Sequence, residues 1–149
     1  MANGEIFKMK VLVDTNIVLD VLLKRVPFYK DSFSVFQLSD SGNIDGVLAA
    51  ISVTNAFFTL RKAGKSLDDV YLDLDDICGI FKIAPVSETT ISAALALHWK
   101  DFEDAVQFVT AKENEVVYII TRNQADFKNS DIPCMPPTEF IAYLKEKED

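Results

Sequence analysis

Short apolar runs recur along this chain at intervals that suit a parallel sheet. KVLV (10–13), IDGVLAAI (44–51), KIAPV (82–86) and EVVYII (115–120) read as strands, and stretches of helical period lie between them. Parallel neighbours need a long crossover, and a helix supplies it. IPCM (132–135) offers a short edge strand. The helices fall at NIVLDVLLKR, stopped by Pro27, and at FYKDSFSVFQLSDSGN, closed by Gly42 and Asn43. VTNAFFTLRKA follows Ser52 as N-cap, and LDDVYLDLDDICGIF follows Ser66. SETTISAALALHW and FEDAVQFVTAKEN divide near Lys100 and Asp101, and Thr138 caps the last helix, within PPTEFIAYLKEKED. Strands alternating with helices imply a parallel sheet covered on both faces. Right-handed crossovers then bring every strand C-terminus to one edge, where α/β proteins build their sites.

At 149 residues the chain suits one domain, and 49% hydrophobic with 26% charged residues is globular composition. Cys78 and Cys134 have neither metal-like spacing nor a disulfide framework, and they read as buried thiols in a reducing compartment. The opening MANGEIFKM lacks the apolar run of a signal peptide, and no segment reaches the ~18 apolar residues of a membrane helix. A cytoplasmic protein is expected. The net charge of −8 opposes simple nucleic-acid binding, unless converging acids hold cations that offset it.

The acids decide where that could happen. Asp14 ends the first strand, TRNQADF follows the strand at 115–120, and DFEDAV opens a helix with Asp101 and Asp104 three apart. Asp14, Asp104 and Asp126, with Asp101 nearby, could gather around one or two hard cations such as Mg²⁺ or Mn²⁺. Each also has a plainer reading. Asp14 and Asp101 suit helix caps, Asp104 completes a capping-box mimic, and Asp126 suits a turn. The acids at Asp68, Asp69, Asp73, Asp75 and Asp76 lie mostly off the apolar face of their helix and read as solvated. His98, the only histidine, reads as a helix-end or packing residue, and Phe57 and Phe58 as core or dimer face. No Ser-His or Cys-His nucleophile pairing is evident.

VLVDTNIVLD, DFEDAVQFVTA and YIITRNQADF, in this order and at these separations, resemble the PIN domain family, metal-dependent ribonucleases that include the VapC-type toxins. The likeness runs from about residue 9 to 144. It implies a single PIN-like domain over 9–149 after a short extension at 1–8. It also implies a three-layer α/β/α sandwich with a short, mostly parallel central sheet of four or five strands. By that resemblance Asp14, Asp104 and Asp126 are the catalytic acids, and with Asp101 they hold Mg²⁺ or Mn²⁺. Asn16, Asn55, Thr121 and Asn123 are the supporting polar residues, and Arg122 either approaches phosphate or points outward. The implied function is hydrolysis of RNA phosphodiesters, in a homodimer, as the toxin held by an antitoxin.

One position departs from the family pattern. Asn55 stands where a Glu is usual, and no acid lies between Ser52 and Leu60. An amide oxygen can coordinate a cation but brings no charge, so weaker metal affinity is expected. The alternative reading is a PIN-fold binding module with weakened catalysis. On the residues alone, Asn55 could equally be a cap at N3 bonded back to Ser52. Receiver and haloacid-dehalogenase folds fit less well. The first wants an Asp after the third strand, where Ser87 and Glu88 stand, and the second wants Asp in place of Asn16.

Overall fold

In a computed structural model that describes residues 8–148, five strands and seven helices form one α/β/α sandwich. The expected extension at 1–8 lies outside the described residues except for Lys8. The order is β1 (Lys10–Val13), α1 (Thr15–Leu22), α2 (Tyr29–Asp40), β2 (Asp45–Ala49), α3 (Ala50–Lys62) and α4 (Leu67–Ile80). It continues with β3 (Lys82–Ala84), α5 (Glu88–Leu97), α6 (Phe102–Glu113), β4 (Tyr118–Ile120), a 3₁₀ turn (Gln124–Phe127), β5 (Cys134–Met135) and α7 (Pro137–Glu148). The sheet runs β3-β2-β1-β4-β5, and every neighbouring pair is parallel.

Strand side chains alternate between faces, and the two cores divide accordingly. Val11, Val13, Leu48 and Ile120 join α1, α2, α4 and α7 through Ile17, Phe36, Ile77 and Phe140. Leu12, Val47 and Ile119 turn the other way, onto α5 and α6 through Ala94, Val106 and Phe108. Central strands buried on both faces explain why their sequences are apolar at consecutive positions. Gly46 is required by close packing: a Cβ there would sit 2.5 Å from Ser39 Oγ and 2.7 Å from the Phe81 ring.

Several expected boundaries move, each for a local reason. The helix expected through Arg25 stops at Leu22, and Lys24 takes φ 50° as the chain turns out before Pro27, which disfavours helix at Val26. Ser52 caps nothing, because α3 begins at Ala50 directly from β2 and Ser52 lies buried inside the helix. The strand expected from Glu115 begins at Tyr118, since Glu115 has φ 56° and Val116 N–H closes the end of α6 on Ala111 O. Thr138 yields to Pro137 as the start of α7, with proline at the first helical position. Ser66 does cap α4, accepting from Asp69 N–H. Along that helix Val70 and Ile77 are buried, whereas Tyr71 and Leu67 are exposed. Cys78 is exposed and Cys134 half-buried, so the expectation of two buried thiols fails for Cys78. Phe58 is 69% exposed and is no core residue. No helix among the described residues is long and apolar enough to cross a membrane.

Candidate active site

The parallel sheet puts the ends of β1 and β4 side by side, with Val13 paired to Ile120. The next residues, Asp14 and Thr121, therefore leave the carboxyl edge together, and Asp14 N–H still bonds Ile120 O at 3.0 Å. Asp14 stands at the N-cap position of α1 in extended conformation (φ −64°, ψ 145°), but its carboxylate makes no cap hydrogen bond. It accepts instead from Thr121 Oγ1 at 2.8 Å and from Gln107 Nε2 at 3.1 Å. Thr121 Oγ1 is itself fixed by accepting Asn123 N–H at 3.0 Å. Burial pushes the Asp14 carboxyl above its usual range, and the two side-chain donors offset part of that rise.

Around Asp14 opens a cleft of about 380 Å³ whose walls include Thr15, Asn16, Asn55, Asp101, Glu103, Asp104 and Asp126. The polar residues expected here thus gather in one place, with two exceptions. Thr121 stands behind Asp14 as its donor, and Asn123 contributes its backbone to Thr121 without lining the cleft. Arg122 neither reaches the cleft nor points into solvent. It turns back to the fully buried Asp20, donating from Nε at 2.8 Å and from Nη2 at 2.9 Å, and stacks 3.9 Å over the Phe28 ring. The capping alternative for Asn55 is overturned, since its amide donates across the cleft to Glu103 Oε2 and not back to Ser52.

Asp101 carries both of its readings at once. Its Oδ1 caps α6 by accepting Asp104 N–H at 3.0 Å, while the residue also lines the cleft. Asp104, buried beside it, has its pKa raised to about 7. Desolvation contributes most, followed by the charges of Asp101, Asp14, Asp126 and Glu103. The positive N-terminal ends of α1 and α6 lie at this edge and relieve part of the repulsion.

Three residues of the site escaped the sequence reading. Gln107, a turn beyond Asp104 and on the same face of α6, is buried at 1% exposure, and that i, i+3 spacing was the available signal. Thr15 Oγ1 lies 2.6 Å from Ser52 Oγ and 3.2 Å from Glu103 Oε2. Glu103 sits between the two acids that the i, i+3 pattern singled out, and that pattern passes over it.

The donor set is all oxygen, which suits a hard divalent cation. Acids that raise one another's proton affinity are also a set that a cation would relieve. Gln107 Oε1 is buried without a hydrogen-bond partner among the described residues, an acceptor beside Asp14. As the side chains stand, no three His, Cys, Asp or Glu residues among those described close on one point. Mg²⁺ commonly keeps several waters and takes only one or two carboxylates directly. The residues therefore fit a hydrated cation.

A second cleft, of about 600 Å³, adjoins the first and shares Asp101 and Asp126 with it. Its lining also includes His98, Trp99, Lys100 and Lys128. His98 is the left-handed C-cap of α5 (φ 53°), which accords with its reading as a helix-end residue.

A parallel α/β/α sandwich with its acids gathered on the carboxyl edge of the sheet is the architecture that the PIN resemblance implies. The sequence profile of the PIN domain matches residues 10–125. This chain belongs to the PIN domain family. Ribonuclease VapC1 of Aquifex aeolicus is 26% identical over 136 residues, covering 88% of this chain and 92% of the relative. Among solved structures, a toxin-antitoxin complex from Klebsiella pneumoniae contains a chain that superposes with TM-score 0.63 at 22% identity, over 85% of this chain and 97% of that one. A chain of VapBC2 from Rickettsia felis, bound to a DNA fragment from its promoter, gives TM-score 0.66 at 16% identity with the same coverage.

Proposed function

We propose that this chain is a divalent-metal-dependent endoribonuclease and the toxin of a toxin–antitoxin pair. The observation that carries this reading is the convergence of Asp14, Asp101, Asp104 and Asp126 on one cleft at the carboxyl edge. The similarity to a ribonuclease over 88% of the chain supports RNA as the substrate, and that to a toxin-antitoxin complex supports an antitoxin partner. The domain is taken as 9–149, and a homodimer is part of the proposal.

Asp14, Asp101, Asp104 and Asp126 would hold Mg²⁺ or Mn²⁺. When bound, such a cation lowers the pKa of a water and stabilises the charge that develops on a phosphodiester under attack. The chain's own part is to present the acids at fixed positions. Thr121 and Gln107 anchor both oxygens of Asp14, and the cap bond to Asp104 N–H fixes Asp101. Asp126, on the exposed 3₁₀ turn, faces both clefts. The second cleft brings Lys100 and Lys128 within reach of a strand leaving the acids, which gives an acidic protein a local place for RNA phosphates.

The weakened-module alternative rests on Asn55. Glu103 lies directly against that amide, so the cleft keeps a carboxylate on that side, which favours the enzyme.

The test is cleavage of a mixed-sequence RNA panel with Mg²⁺ or Mn²⁺, against EDTA. Asp14→Asn and Asp104→Asn proteins should each lose activity by about 100-fold or more while remaining folded. Cleavage that survives EDTA, or that both variants retain, would overturn the reading.

A further inference from the structure

We propose that Glu103 is a further acid of the cation site, delivered from α6 to the side of the cleft where α3 carries only an amide. This rests on the metal-dependent reading above. The cleft is walled on that side by α3, whose residues there are Asn55, Phe58 and Thr59, and none of them is charged. Glu103, in the first turn of α6, reaches across and meets Asn55. Its carboxylate is held by two donors on the same oxygen. Asn55 Nδ2 donates to Oε2, and so does Thr15 Oγ1 at 3.2 Å. Thr15 is positioned in turn by Ser52, 2.6 Å away and buried, which can donate to Thr15 while Thr15 donates onward. Oε1 accepts no hydrogen bond among the described residues.

This arrangement differs from that of a solvated surface glutamate. A long side chain loses rotamer freedom when it is clamped, and water alone would satisfy a carboxylate in a helix's first turn. Here Asn55 and Thr15, the latter backed by Ser52, fix one oxygen from two other helices and leave the second available at the cleft. Asn55 thereby becomes a positioning residue: it supplies the hydrogen bond, and Glu103 supplies the charge. The departure noted at Asn55 is then a relocation of the acid from α3 to α6, with no net loss of charge from the cleft.

The experiment is titration of Mn²⁺ into the full-length protein by calorimetry, with thermal melts of the same samples without metal. Glu103→Gln keeps an acceptor oxygen for Asn55 and Thr15 and removes only the charge. It should weaken Mn²⁺ binding about 10–100-fold with little change in the metal-free melt. The double variant Asn55→Glu/Glu103→Gln mirrors the pair, with the acid on α3 and the amide on α6, and should recover affinity to within a few-fold of the wild type. Unchanged binding by Glu103→Gln would overturn the assignment. A loss that the double variant fails to rescue would also overturn it, leaving Glu103 as a tie between α3 and α6. Wild-type protein that binds no Mn²⁺ would instead remove the metal-dependent reading, and this assignment with it.

Discussion

Asp104 bears the repulsion of four acids around it in the cleft, and that tension has a measurable sign. Without metal its folded-state pKa is raised to about 7, against an ordinary value of 3.8. Between those limits the folded chain binds more protons than the unfolded one, so stability falls as pH rises through the window, and the penalty is complete above it. Asp104→Asn should therefore melt higher than wild type in EDTA at about pH 8, and the gap should close toward roughly pH 4. A difference that does not vary with pH would refute this origin. At this scale, the residues legible in the sequence were those that follow a strand or space out along a helix: Asp14, Asp101, Asp104 and Asp126. Glu103 and Gln107 were not legible, because their roles depend on partners 48 and 93 residues away. Arg122 was misread for the same reason, since the buried Asp20 that holds it lies 102 residues earlier.

The sheet that carries these side chains depends on close approach at β2. Replacing Gly46 by Ala would drive a methyl group into Ser39 Oγ and the Phe81 ring, where α2 and the end of α4 cover the strand. The expected cost is about 1–3 kcal/mol of stability, read by denaturant unfolding, with the metal affinity of the folded fraction unchanged. A neutral substitution would show that the α2 layer yields freely. Element order and type were legible because periodicity is a local property, and all five strands lie where apolar runs predicted them. The ends of elements were not. Leu22, Ala50 and Tyr118 became boundaries through left-handed turns or direct strand-to-helix junctions that no cap residue announces.

At the scale of the whole molecule, the proposed ribonuclease activity requires a chain of net charge −8 to bind a polyanion through a local exception to its average. Lys100 and Lys128 on the cleft beside the acids are the candidates. On an Asp14→Asn background, which is expected not to cleave, each Lys→Gln change should weaken RNA binding and lower the salt dependence, log K against log salt, by about 0.7 for a single strand. An unchanged slope would place the RNA elsewhere. The contact between Asn55 and Glu103 has a consequence of another kind, for the route by which such a cleft can change over generations. With the two positions face to face, an acid can pass from α3 to α6 in two substitutions, but the order matters. If the second acid arrives first, every intermediate keeps a carboxylate on that side of the cleft. If the first acid is lost first, the line passes through a cleft short of charge, and selection would close that path.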